Sequence, residues 1–323
     1  MIPMTEFHET SYANDNHARA EMLKLSPTQR QAKVDNLLFR YPRFEMAYQE
    51  VLGLHRQGAE GGPIKGEVVG FLGNSRAGKT SILKALIRDS NAKAPDLSSE
   101  SAQASGLVIP MAHIEVKDRW GAPDLATALY MATGASSVPY IGGKSLEIKC
   151  VRRVASLQTT FVMLDDSHFI FEAPPAKRKA LLSLIKALVD SGTCSVLLAG
   201  LNLIEVGIME NTQLLNRGSF PAVHLLEHDM SYESEEDEYL EFLAAVSERL
   251  PFAEDSGLDR NEWITEWKLA ANGSVGLTMN IIKDAARRAI ADGARSIEGR
   301  HLKQACFMRK RIGDTTYPFQ EAA

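Results

Sequence analysis

The sequence predicts an α/β fold, a parallel sheet flanked by helices, followed by a wholly helical region. Three observations carry that prediction. Short apolar runs alternate with helical patterns from Val68 to Ala199, as in parallel β-α units with helices on both sheet faces. One run leads into a glycine-bracketed loop, and another ends in two aspartates. After Leu226 the strand patterns stop, and helical spacing continues to Arg309.

Residues 1–19 lack the apolar stretch of a secretory signal and read as a polar, mobile leader. Residues 20–60 form an N-terminal helical extension, in which Leu37, Leu38, Tyr41, Phe44, Met46 and Ala47 recur at helix-compatible spacing. Tyr41-Pro42 interrupts it, and the turn-rich GAEGGPIKG follows as a linker. The core spans 61–226. Its strands are Val68–Leu72, Leu107–Val116, Phe161–Leu164 and Ser195–Ala199; its helices are Thr80–Arg88, Pro123–Gly134 and Lys177–Val189. Residues 227–310 form a helical lid, opened by an acidic run from Glu233 to Glu238 that complements the helix dipole. Helices around Trp263–Ala270, Leu277–Ile290 and Glu298–Arg309 complete it, and 311–323 is a tail. The basic end at Arg309 reads as a frayed helix terminus.

Composition narrows the function. No stretch approaches the ~20 apolar residues of a membrane span. The three cysteines, Cys150, Cys194 and Cys306, stand far apart without metal-ligand spacing, as in reduced thiols packed in a cytoplasmic fold. With a formal net charge of −5, any nucleic-acid contact has to come from a local patch of cations.

The loop Gly73-Asn74-Ser75-Arg76-Ala77-Gly78-Lys79-Thr80 fits G-x-x-x-x-G-K-[ST] between an apolar strand and an amphipathic helix. Its glycines let successive N–H groups face phosphate oxygens, and Ser81 extends the cradle into the helix. Lys79 reaches the β- and γ-phosphates, and Thr80 ligates Mg²⁺. ATP and Mg²⁺ are therefore the expected ligands. Phe161-Val162-Met163-Leu164-Asp165-Asp166 is a buried run ending in two carboxylates, a costly arrangement unless they meet a cation or donors. Asp165 is the expected Mg²⁺ partner of Thr80. Asp166 stands where many such ATPases carry a glutamate that polarises water, and its shorter reach predicts slow hydrolysis. His168 reads as a packing or hydrogen-bonding residue.

From about Met22 to Ala305 the chain resembles the TniB/TnsC family of transposition ATPases, which are AAA+ proteins. The resemblance rests on Leu25–Arg30, Tyr41-Pro42-Arg43, Met163–His168, Gln213-Leu214-Leu215-Asn216-Arg217, Gly273–Gly276 and Ala285–Ile290. It implies a AAA+ core with ATP between neighbouring subunits and Arg217 as an arginine finger acting in trans. Asn202, after the fourth strand, is the implied amide that orients the attacking water. Family members form homo-oligomeric rings or filaments on double-stranded DNA with ATP. They help a DDE transposase select its target, with a targeting protein or RNA-guided complex as a further partner. Three departures bear on hydrolysis: Asp166 for glutamate, Gly218 for phenylalanine, and Gly276 where many AAA+ proteins carry an arginine.

The loops Lys117-Asp118-Arg119-Trp120-Gly121 and Gly142-Gly143-Lys144-Ser145 supply cations and backbone N–H groups. In a ring such groups track phosphates without reading sequence, which makes Lys117, Arg119, Lys144 and Ser145 the candidate DNA contacts. Lys149, Arg152 and Arg153 form a third basic cluster, and Trp120 reads as a packing residue. A helicase-loader or replication-initiator ATPase is the alternative. A small-molecule kinase fits less well, because it has no use for an arginine finger in trans.

Overall fold

The structure is a computed structural model that describes residues 6–55, 66–91, 108–140, 142–192, 194–211, 219–309 and 318–319. By their contacts the residues divide into two compact units. The first holds Pro42–Ser75 and Lys79–Leu225; the second holds Thr5–Tyr41, Arg76–Gly78 and Leu226–Ala323.

The first unit is built on five parallel strands, β1 (Val68–Gly73), β2 (Met111–Glu115), β3 (Phe161–Asp165), β4 (Ser195–Gly200) and β5 (Ala222–Leu225). Their order is β2-β3-β4-β1-β5. Every residue of β1, β3 and β4 is buried, which explains why they read as continuous apolar runs rather than alternating ones. Helix Lys79–Asn91 buries Ile82, Leu83 and Leu86, and helix Pro175–Asp190 buries Leu181, Leu184, Ile185 and Leu188. Each such side chain contributes about 1.5–3 kcal/mol on leaving water. Because β4 lies between β1 and β3, the loop after β4 leaves the sheet between the phosphate loop and the two aspartates.

Most helices and strands fall where the sequence places them, but the structure adds β5 and the short helices His168–Glu172 and Leu203–Met209, and it changes two further elements. β5 is only four residues long, too short to show periodicity. Gly142-Gly143-Lys144-Ser145 is not a turn but the start of helix Gly143–Ser156, with Gly142 as its N-cap and the Ser145 amide bonded to Gly142 O. The strand expected from Leu107 begins at Met111; Leu107 itself lies outside the described residues. The linker from Gly58 to Lys65 also lies outside them.

In the second unit, Ser26 and Gln29 form a reciprocal cap on helix Pro27–Asp35. Helix Glu233–Arg249 opens with Glu233, Glu235 and Glu236 in its first turn, and Lys268 of helix Ile264–Ala271 pairs with Glu236. Helices Val275–Ala291 and Gly299–Phe307 complete the bundle. The described part of the expected mobile leader is docked here. His8 and Tyr12 are buried, His8 lies 3.0 Å from Arg249 O, and the Tyr12 amide donates to Glu248 O. Two buried rings in an otherwise polar stretch supply the anchor that periodicity does not reveal. Arg309 is not frayed either. Its guanidinium donates to Asn280 O and pairs with Asp284.

Candidate functional site

β1 delivers the phosphate loop. Asn74, Ser75 and Arg76 are exposed, and Ala77 is buried. Arg76 (φ 67°) and Gly78 (φ 104°) take left-handed backbone, the bend that turns a run of N–H groups to one side. Lys79 is 7% exposed, and its ammonium donates to Gly73 O at 2.9 Å and Asn74 O at 2.7 Å. The lysine therefore lies back across the mouth of its own loop. Thr80 and Ser81, in the first turn of the helix, are exposed.

β3 delivers the carboxylates. Thr80 Oγ1 donates to Asp165 Oδ2 at 2.6 Å, and the Asp166 amide donates to Asp165 Oδ1 at 3.0 Å. The other oxygen-side neighbour is His113 of β2, whose Nε2 is 3.5 Å from Asp165 Oδ2. In the parallel register His113 stands opposite Met163, two residues before Asp165, so both side chains leave the same sheet face. Burial alone pushes the Asp165 carboxyl up, but His113, the Thr80 hydroxyl and the Asp166 amide outweigh it and hold it below the usual range. Asp166 is the opposite case. Burial and the adjacent Asp165 charge raise its carboxyl, and its backbone is left-handed (φ 52°). His168 Nδ1 lies 3.9 Å from Asp166 Oδ1, so the histidine flanks the second aspartate. Two neighbouring carboxylates thus have different jobs available: a charged ligand and a group poised to take a proton.

His113 is absent from the sequence reading. Its signal was present, as one imidazole inside the apolar run Met111–Ile114.

The remaining candidates divide by exposure. Asn202 is exposed at the end of β4, where it caps helix Leu203–Met209. Arg217, with Gln213–Asn216 and Gly218, lies outside the described residues. Lys117 is exposed and paired with Glu115 at 2.8 Å, and Arg119 is exposed and paired with Asp118 at 3.3 Å. Lys177 Nζ donates to Arg119 O at 3.0 Å, adding a cation to that loop. Lys144 and Ser145 are exposed on the first turn of their helix, and Lys149 and Arg152 are exposed farther along it. Arg153 leaves the proposed third basic cluster. Its guanidinium donates to Thr133 Oγ1 and Thr133 O and covers the Tyr130 ring, tying it to helix Ala122–Ala132 and its C-cap Thr133. Trp120 packs partly buried against the sheet's core.

Gly276 has a physical explanation. Arg76–Gly78 belong by their contacts to the helical unit, and the Gly276 amide donates to Arg76 O at 2.9 Å. A Cβ at Gly276 would lie 2.1 Å from that oxygen, so no side chain fits there.

A five-stranded parallel sheet in this order, with the phosphate loop after β1 and the acidic pair after β3, defines the AAA+ class of P-loop proteins. Solved structures with this fold include the ORC1 protein of Aeropyrum pernix in complex with DNA, at 18% identity and TM-score 0.60, covering 90% of this chain and 69% of that one. The ORC2 protein of the same organism (ADPNP-ADP complexes) is similar at 16% identity and TM-score 0.56, covering 85% and 69%. Cdc6p from Pyrobaculum aerophilum follows at 13% identity and TM-score 0.56, covering 83% and 67%. No curated protein matches. The profile of the bacterial TniB protein family matches residues 38–229, and the chain belongs to that family. Among the described residues no helix is long and apolar enough to cross a membrane.

Proposed function

We propose that this chain is an ATP-switched regulator of transposition that assembles on double-stranded DNA and recruits a DDE transposase. The observation that carries the reading is the Thr80–Asp165 hydrogen bond beside the buried Lys79 ammonium. A hydroxyl and a carboxylate 2.6 Å apart are hard oxygen donors that suit Mg²⁺, with phosphate oxygens and water completing its shell. When bound, Mg²⁺ supplies charge neutralisation at the β- and γ-phosphates.

The chain's own groups do the rest. Loop N–H groups from Gly73 to Thr80 receive the phosphates, and Lys79 exchanges its two carbonyl partners for phosphate oxygens. Asp166, the carboxylate with the raised proton affinity, orients the attacking water and takes its proton, with Asn202 as a second orienting group. Arg217 completes the pocket of the next subunit. Exposed Lys117, Arg119, Lys144 and Ser145 contact duplex phosphates, and hydrolysis then releases the assembly. Membership of the TniB family supports the role in transposition, with a targeting protein or RNA-guided complex supplying the site.

A second reading, a replication initiator or helicase loader, is favoured by the likeness to archaeal ORC1, ORC2 and Cdc6p structures. Electron microscopy with duplex DNA and a slowly hydrolysed ATP analogue separates the two when combined with pull-down of the partner. Rings or filaments that capture an integrase-like transposase support the first reading. Capture of a replicative helicase instead supports the second, and a protein that stays monomeric on duplex with every nucleotide sinks the first.

A further inference from the structure

Trp263, Glu266 and Trp267 stand at positions i, i+3 and i+4 of one helical stretch, so they share a face. The segment Pro318–Phe319 is seated on that face. Phe319 is 3% exposed, with its ring edge-on to Trp263 (5.8 Å, 90°) and to Trp267 (4.9 Å, 78°). These are favourable geometries for aromatic pairs. The Phe319 amide donates to the Glu266 carboxylate, which fixes the backbone as well as the ring. Both tryptophans also have partners other than the occupant. The Trp267 Nε1 donates to Leu258 O at 2.9 Å, and the Arg260 guanidinium stacks on Trp263 at 4.8 Å.

We propose that Trp263, Glu266 and Trp267 form a recognition site for an aromatic-anchored peptide, filled here in cis by Pro318–Phe319 and able to take the same segment from a second copy of this chain. Three features favour exchange over permanent packing. Among the described residues, the occupant is held by the Phe319 ring and one backbone hydrogen bond. It sits at φ 59°, in left-handed backbone that a phenylalanine adopts only at a cost, and that cost offsets part of the gain from burying the ring. Its walls also keep their own partners when it leaves. In an assembly the exchange would strap one subunit to the next, independently of the nucleotide site.

The test uses the full chain and a fluorescein-labelled peptide of residues 314–323, read by fluorescence anisotropy. Phe319→Ala empties the site and is expected to bind the peptide at least about tenfold more tightly than wild type, in which the resident segment competes. The same peptide carrying Phe319→Ala should not bind. Adding Trp263→Ala to the emptied protein should abolish binding, and adding Glu266→Gln should weaken it severalfold. If Phe319→Ala does not fold by circular dichroism, Phe319→Leu is measured in the same way. The proposal is overturned if the folded, emptied chain binds the peptide no better than wild type, or if binding survives Trp263→Ala.

Discussion

Two kinds of strand-end loop leave the same edge of the sheet, and they are built in opposite ways. After β1 and β3, Lys79 and Asp165 are each held by two or more other groups. Lys79 is bound by two carbonyls, and Asp165 by a hydroxyl, an amide and a nearby imidazole. After β2, Lys117 and Arg119 stand in solvent with 58% and 89% of their side chains exposed, each paired with a neighbouring acid. The difference matches the tasks proposed for them. Chemistry on a phosphoryl group requires atoms fixed in advance, whereas backbone tracking on a duplex requires only mobile positive charge. Exposed pairs of this kind contribute little to stability, so those cations are free to trade a carboxylate for a phosphate.

The largest effect is expected where the rigid region is broken. Lys79→Ala should weaken ATP binding by about 100-fold or more, because it removes a charge-assisted contact in a buried setting; isothermal titration calorimetry measures it. Asp166→Asn should keep nucleotide affinity and lower turnover about 100-fold, as the loss of a general base does; steady-state hydrolysis decides. Unchanged turnover would remove Asp166 from the mechanism and leave the carboxylate pair as a metal site alone.

Lys117→Glu combined with Lys144→Glu sharpens the other side of the comparison. DNA co-sedimentation should drop by about tenfold or more and become less salt-dependent, while ATP binding stays intact. DNA binding that keeps its full salt dependence would take these two lysines out of the interface. Gly276→Ala should destabilise the protein by about 1–3 kcal/mol through overpacking against Arg76 O, seen as a lower Tm.

The smallest effect is a pH dependence that belongs to neither loop. Burial holds His8 and His55 below the ordinary value of 6.5. Their neutral forms are favoured in the fold, so stability is complete above pH 6.5 and falls as pH drops through it, where only the unfolded chain gains protons. Urea melts at pH 7.5 and 5.5 should show the decline, and His8→Asn with His55→Asn should flatten it.

Much of the site was legible because its residues are consecutive. Gly73–Thr80 and Phe161–Asp166 each combine an apolar strand with its chemistry in one short window, and the structure brings Thr80 to Asp165 as that pattern implies. His113 was not legible, since only the β2–β3 register puts it beside Asp165. Arg153 looked like surface charge until its partners on Thr133 were known. The docked stretch around His8 and Tyr12 gave no periodic signal, because two isolated rings anchor it.

The sequence by itself determined the glycine-bracketed loop, the carboxylate pair and most of the order of helices and strands. Those depend on local spacing: glycines that permit left-handed backbone, apolar runs long enough to be buried, and caps next to helices. Tertiary structure alone decided which strands are neighbours, which cations stay exposed, and why residue 276 has to be glycine. These depend on contacts between residues far apart in the chain, where a carbonyl 2.1 Å from a would-be Cβ leaves no trace in either local sequence.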